Sequence, residues 1–102
     1  MGRRAALPVG ERPYRSPRSH REDDLYEDIG AALCRFRLAA KRSQEEAAAA
    51  VGYSRTSVTN WESGLHKPSF GVVDALLRFY GATWEAFVQA LRDEEATRRR
   101  LG

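Results

Sequence analysis

Residues 43–64, SQEEAAAAVGYSRTSVTNWESG, have the pattern of two short helices joined by a tight turn. Ser43 and Glu46 are spaced as in a capping box, in which each side chain accepts a backbone N–H of the other residue. Gly52 can adopt the left-handed conformation that ends a helix, because it has no Cβ atom. Ser54 can then cap a second helix. The stretch therefore predicts a helix, a turn and another helix.

The second of these helices, predicted over residues 55–63, has one apolar face and one polar face. Val58 and Trp61 are three residues apart and so share a face, which favours the core for both, including the indole. The opposite face carries hydrogen-bond donors and acceptors and no acid: Arg55, Thr56, Ser57, Thr59 and Asn60. This helix is expected to be anchored by its apolar side and to present its polar side outward.

This arrangement resembles the helix-turn-helix of the lambda-repressor-like (XRE, Cro-type) DNA-binding family. The similarity rests on small Ala48, on Gly52 in the turn and on β-branched Val58, at set distances from the first helix residue, Gln44. It extends over about residues 29–91 and includes the Trp-Glu-Ser-Gly sequence that closes the motif. The resemblance implies an all-α, compact five-helix DNA-binding domain whose second motif helix enters the major groove.

The chain divides into three segments by composition. Residues 1–22 contain six arginines, two glutamates and three prolines, and we expect them to form a disordered basic arm. This arm is either a solvated tail or a segment that contacts phosphates or the minor groove. Residues 23–92 form the predicted domain and are nearly neutral, with eight bases and nine acids. Residues 93–102 form a charged C-terminal tail that can extend the last helix.

Three further helices are predicted around the motif. Helix 1 should run from Leu25 to Lys41, since apolar residues recur there on one face. Ser69 can cap helix 4, which Gly81 ends, and Thr83 can cap helix 5. The apolar residues of helix 5 are expected to close the core and to supply a dimer interface. The interface residues are Trp84, Phe87, Val88 and Leu91.

Composition also limits the chemistry that the chain can perform. A lone Cys34 excludes an intramolecular disulfide, and with only two histidines a metal site is not expected. No cofactor is expected, and we find no nucleophile–base pair, so the protein is not predicted to be an enzyme. No apolar run is long enough to span a bilayer and no signal peptide is evident, which favours a cytoplasmic protein without a membrane partner.

The family resemblance implies roles for individual side chains. Arg55, Thr56 and Asn60 would read bases, with Ser57 and Thr59 assisting. Arg37 and Glu62 would form a structural ion pair. By the same resemblance, Gln44, Ser63, His66 and Lys67 would contact phosphates. Further phosphate contacts are expected from Ser54 and Arg42.

One departure from the family pattern concerns the entry to the motif. Arg42 and Ala47 occupy the two positions where the family commonly has a hydrophobic staple. The sequence therefore predicts a less tightly fixed start of helix 2, with Arg42 free to face a phosphate.

Two functions are compatible with these residues. The first is a sequence-specific regulator of transcription, expected to be a repressor, that binds double-stranded DNA as a homodimer. The alternative is an antitoxin-type or other interaction module that uses the same scaffold to bind a protein partner.

Overall fold

The computed structural model describes the backbone of residues 17–101 and the side chains of residues 23–101. This part of the chain forms five helices joined by short turns, so the predicted all-α, five-helix fold is confirmed. The helices are α1 (Pro17–Ala39), α2 (Gln44–Val51), α3 (Arg55–Glu62), α4 (Phe70–Tyr80) and α5 (Trp84–Leu101). In the described range, none of these helices is long and apolar enough to cross a membrane.

One hydrophobic core joins all five helices. Helix α1 packs against α3, α4 and α5, while α2 packs against α3 and α4. The largest side chains that are completely shielded from solvent come from α1, α3 and α4, and they are Leu33, Val58, Leu76 and Leu77. Ala47 and Ala48 of α2 and Phe87 and Ala90 of α5 complete the core. Small residues on α2 allow it to approach its neighbours closely.

The predicted ends of the motif helices are present. The Ser43 hydroxyl accepts the Glu46 N–H at 3.0 Å, and the Glu46 carboxylate accepts the Ser43 N–H at 2.8 Å. Gly52 has φ 77° and ends α2, where hydrogen bonds from the backbone of the turn satisfy the carbonyl groups of Ala48 and Ala49. Ser54 caps α3 by accepting the Ser57 N–H at 3.2 Å. Local hydrogen bonds therefore fix the turn between α2 and α3.

Helix α1 begins earlier than the sequence predicted, at Pro17 rather than Leu25. Proline is well suited to a first helical position, because the N–H that it lacks would have no partner within the helix there and because its φ angle is already helical. Residues 17–22 were assigned to the disordered arm because they lack apolar periodicity, but their backbone is helical. The rest of the predicted arm, residues 1–16, lies outside the described residues.

Helix α5 extends into the charged C-terminal segment as far as Leu101, an extension that the sequence allowed. The Arg98 guanidinium bonds to Asp28 and lies 3.6 Å from Asp24, while Arg35 donates to Glu94 at 2.9 Å. These contacts join the last turns of α5 to α1. Apolar periodicity did not predict this packing, because it is formed by ion pairs between charged side chains of the two helices.

The residues predicted to form a dimer interface divide into two groups. Phe87 is 4% exposed and belongs to the core of its own chain, and Leu91 packs partly against that core. Trp84 and Val88 remain 37% and 43% exposed. Phe70 is also exposed, because it is the first residue of α4 and lies at the edge of the core.

Gly30 marks the closest approach between α1 and the end of α3. A Cβ atom built on Gly30 would overlap the carbonyl oxygen of Trp61 and would lie 2.6 Å from that of Glu62. Backbone atoms cannot move away as the end of a flexible side chain can. Only glycine therefore lets α1 cross at this depth, a requirement that the sequence pattern did not reveal.

We predict that Gly30→Ala destabilises the fold by about 1–3 kcal/mol, the usual cost of overpacking, because the added methyl group forces α1 away from α3. Gly71→Ala is the control, since a Cβ atom there meets only the Ser69 hydroxyl, at 3.9 Å. That variant should be neutral or up to about 1 kcal/mol more stable, because alanine favours a helix over glycine. Urea unfolding of both variants measures the difference, and equal stabilities would contradict the close approach.

Candidate nucleic-acid interface

Helix α3 is anchored on one side and open on the other. Val58 and Trp61 are 1% and 6% exposed, and the Tyr53 ring meets the Trp61 ring edge-on at a centroid distance of 5.1 Å. Arg55 and Thr56, at the start of the helix, are exposed to solvent. The polar face predicted to read bases is therefore accessible while its apolar face is buried.

The Arg37–Glu62 ion pair fixes α3 against α1. Arg37 Nε donates to Glu62 Oε2 at 2.7 Å and Nη2 donates to Oε1 at 3.2 Å, so the pair is bidentate. The side chains are only 11% and 7% exposed. Nη1 of the same guanidinium donates to the Arg42 carbonyl at 2.8 Å. The hydrogen bond to Glu62 raises the pKa of Arg37, and the contact joins α1, α3 and the turn before α2.

Gln44 extends this network to the polar face of α3. Its Nε2 donates to Glu62 Oε1 at 3.0 Å, and its Oε1 accepts from the Thr59 hydroxyl at 3.1 Å. Arg55 Nε lies 3.4 Å from the same Gln44 oxygen. Glu62 can only accept, so the amide nitrogen must face it and the amide oxygen must face α3. Gln44, expected at a phosphate, is thus also a link between the buried ion pair and the predicted base readers.

An acid that the sequence analysis did not assign to the interface lies beside Arg55. The Glu45 carboxylate of α2 is 3.6 Å from Arg55 Nε, and both side chains are more than half exposed. The polar face of α3 itself carries no acid. Glu45 comes from the neighbouring helix, and only the angle between α2 and α3 brings it there. The sequence could have indicated this position, because Glu45 is next to Gln44 and both lie in the first turn of α2.

Asn60 and His66 meet at the C-terminal end of α3. Asn60 Nδ2 and His66 Nδ1 are 3.4 Å apart. The Asn60 carbonyl accepts from the Ser63 hydroxyl at 3.1 Å and from the Leu65 and His66 N–H groups at 3.0 and 3.2 Å. The predicted base reader Asn60 is therefore partly buried and also shapes the loop that carries the predicted phosphate contacts Ser63 and His66.

Arg42 is not free, in contrast to the expectation from the missing hydrophobic staple. Its guanidinium carbon lies 4.8 Å above the centre of the Phe79 ring and Nη1 is 3.9 Å from a Glu46 oxygen. A guanidinium over an aromatic face is attracted to it, so Arg42 helps to hold the start of α2 against α4. Lys67 is placed similarly, with Nζ 5.6 Å from the centre of the Tyr26 ring.

Cys34 packs beside the ion pair, where Arg37 Nη2 lies 3.7 Å from its Sγ atom. Burial, and secondarily the Glu62 charge, raises the pKa of the thiol. A raised pKa leaves little reactive thiolate, so Cys34 serves as a packing residue. Among the side chains of residues 23–101, no cluster of histidine, cysteine or acidic residues is suited to hold a metal ion.

Two packed helices joined by a tight turn, with the second anchored by two buried side chains and capped at its exposed start, define a helix-turn-helix domain. The chain belongs to the family described as a helix-turn-helix domain, which matches residues 28–101. The predicted relation to a helix-turn-helix DNA-binding family is confirmed by this match.

The fold is also found in solved structures of the clp gene regulator ClgR from Corynebacterium glutamicum. One is 23% identical, with a TM-score of 0.72, and the match covers 76% of this chain and 82% of that one. A second is 24% identical, with a TM-score of 0.65 and coverage of 69% and 90%. No curated protein sequence matches the chain.

We predict that Arg37→Gln destabilises the protein by about 3 kcal/mol, because it leaves the Glu62 carboxylate buried without its partner. Arg78→Gln is the control, since it breaks a pair on α4 in which the arginine side chain is 80% exposed, and such pairs contribute little. Thermal and urea unfolding compare the two variants. If both lose equally little stability, the Arg37–Glu62 pair does not hold the motif together.

Proposed function

We propose that the protein is a sequence-specific regulator of transcription that inserts α3 into the major groove of double-stranded DNA and represses by occupying its site. The observation that most directly supports this proposal is that one face of α3 is buried and the other is exposed. Val58 and Trp61 are buried, whereas Arg55 and Thr56 at its start are exposed. The N-terminal residues of a recognition helix are those that reach base edges in this mode of binding.

The side chains on α3 match the donors and acceptors of the major groove. Arg55 can donate twice to guanine O6 and N7, Asn60 can bind adenine N6 and N7, and the Thr56 methyl group can contact thymine. Thr59 and Ser57 are auxiliary readers, since Thr59 bonds to Gln44 and Ser57 bonds to Ser54. Asn60 must exchange its contact with His66 to bind a base.

Phosphate contacts would come from the residues around α3. Gln44 is the first residue of α2, where the positive end of the helix dipole attracts the phosphate backbone. Lys67 and His66 lie in the exposed loop after α3. The remaining proposed contacts are Arg42, Ser54 and Ser63. This role would place the protein with DNA in the cytoplasm.

The comparison with ClgR supports a role in gene regulation, because a protein described as a gene regulator shares the fold over most of both chains. At 23% identity, the comparison supports a shared architecture and does not indicate which DNA sequence this chain binds. The base sequence that is bound must therefore follow from the side chains of this chain's own α3.

We predict that Arg55→Ala weakens binding to the preferred site by about 1–3 kcal/mol and relaxes selection at one base pair. Lys67→Ala is the matched control, because loss of a phosphate contact should weaken all sequences alike and reduce the salt slope by about 0.9. Selection from a random duplex library, followed by anisotropy titrations, measures both. An absence of any preferred sequence for the wild type would contradict the proposed function.

We also propose that the protein binds as a homodimer through the exposed part of α5. Regulators of this type bind two half-sites about 34–36 Å apart, which needs two copies of the domain. Trp84 and Val88 are one helical turn apart on α5 and remain exposed in the single chain. A two-fold contact would cover this apolar pair.

The dimer can be tested without disturbing the core. Val88→Asp should shift the sedimenting species from dimer to monomer, because it places a charge in the proposed contact. Ala86→Asp, also exposed on α5 but on another face, should leave the mass unchanged. A dimer that persists in Val88→Asp would remove α5 from the interface. Truncation before α5 is unsuitable, since it would delete the core residues Phe87 and Ala90.

A further inference from the structure

The contacts of Arg55 involve one end of its guanidinium. The inner Nε atom lies 3.6 Å from Glu45 Oε2 and 3.4 Å from Gln44 Oε1. Both partners are in the first turn of α2. Arginine carries five N–H donors in a rigid fork, and four of them belong to the two terminal nitrogens. The contact with α2 through Nε therefore leaves the terminal edge of the fork available to a ligand.

The two partners of Arg55 differ, because Gln44 is itself fixed by a hydrogen bond whereas Glu45 is exposed. Gln44 is fixed by its hydrogen bond to the buried Glu62 carboxylate, 3.0 Å away. Glu45 is 66% exposed and adds a negative charge at the same place. Arg55 is thus attracted toward a defined point on α2, and its direction is set from outside its own helix.

The carboxylates near α3 influence which kind of ligand Arg55 can bind. Two of the cations assigned to the DNA surface lie beside carboxylates of α2: Arg55 beside Glu45 and Arg42 beside Glu46. A phosphate oxygen that approached Arg55 would also approach Glu45, and the two anions repel each other. A guanine edge is a neutral pair of acceptors and has no such conflict.

We propose that Glu45 is a specificity-determining residue, which holds Arg55 by Nε so that Nη1 and Nη2 are presented to a guanine edge rather than to a phosphate. This inference rests on the proposed function, in which Arg55 reads a base. Glu45 acts through Arg55 and is a positioning residue. Its effect is to lower binding to unrelated DNA more than binding to the preferred site.

The test compares Glu45→Gln with Glu95→Gln. Both remove one negative charge from an exposed position, but Glu95 lies on α5 and pairs with Arg99. Each variant is titrated by fluorescence anisotropy against three duplexes at several salt concentrations: the preferred site, the same site with the guanine–cytosine pair read by Arg55 replaced, and an unrelated sequence. Circular dichroism melts establish that both variants are folded.

We expect Glu45→Gln to reduce discrimination at that base pair by about two- to fivefold, the factor that corresponds to an exposed ion pair. Its binding to the unrelated duplex should strengthen, and the salt slope there should steepen by up to about 0.9, because Arg55 is released to a phosphate. Glu95→Gln should change the affinity for all three duplexes by the same factor. Equal behaviour of the two variants would overturn the proposal.

The double variant with Arg55→Ala separates positioning from a direct contact. Without Arg55, Glu45→Gln should cause no further loss of discrimination. A loss that persists would mean that Glu45 itself reads a base, for example by accepting from cytosine N4, and would overturn the positioning role. If the wild type has no preferred sequence, the proposed function fails. If it has one and Arg55→Ala relaxes it, but Glu45→Gln does not, the inference alone fails.

Discussion

The buried Arg37–Glu62 pair is the contact on which the arrangement of the motif depends. Removing two charges from water to this extent costs free energy. The cost is offset only where the geometry of the pair is good and where further hydrogen bonds satisfy its remaining donors and acceptors. Here the pair is bidentate and the spare donors and acceptors are used, by the Arg42 carbonyl and by the Gln44 amide. One ion pair thereby fixes α1, the end of α3 and the first residue of α2.

This ion pair can form only because α1 and α3 approach closely. Gly30 lies against the carbonyl groups of Trp61 and Glu62, and a Cβ atom on Gly64, which has φ 81°, would lie 2.9 Å from the Glu27 side chain. The two glycines thus allow α1 to lie close to the end of α3 and to the residues that follow it. A larger residue at Gly30 would displace the Glu62 carboxylate from Arg37 and would affect the Gln44 contacts that depend on it.

The sequence predicted the features that depend on neighbouring residues or on helical period. The Ser43–Glu46 box, the Gly52 turn and the inward Val58 and Trp61 are of this kind. The start of α1, the packing of the last turns of α5 and the position of Glu45 beside Arg55 were not predicted. The last two depend on contacts between two helices, which periodicity within one helix does not specify, whereas the start of α1 was not predicted because residues 17–22 lack apolar periodicity. Individual DNA contacts remain predictions.

Charge alone gives the proposed DNA surface little affinity. The basic excess of the chain is in residues 1–22, whereas residues 23–92 are nearly neutral and carboxylates of α2 lie beside two of the arginines near α3. A surface of this kind gains little from counterion release. Its affinity must come from donors and acceptors held in fixed positions, such as the Thr59 and Arg55 side chains at Gln44. A rigid motif is therefore a condition for recognition by residues 23–92, because a loosely held α3 would lose these contacts and the domain itself carries no large positive charge to replace them.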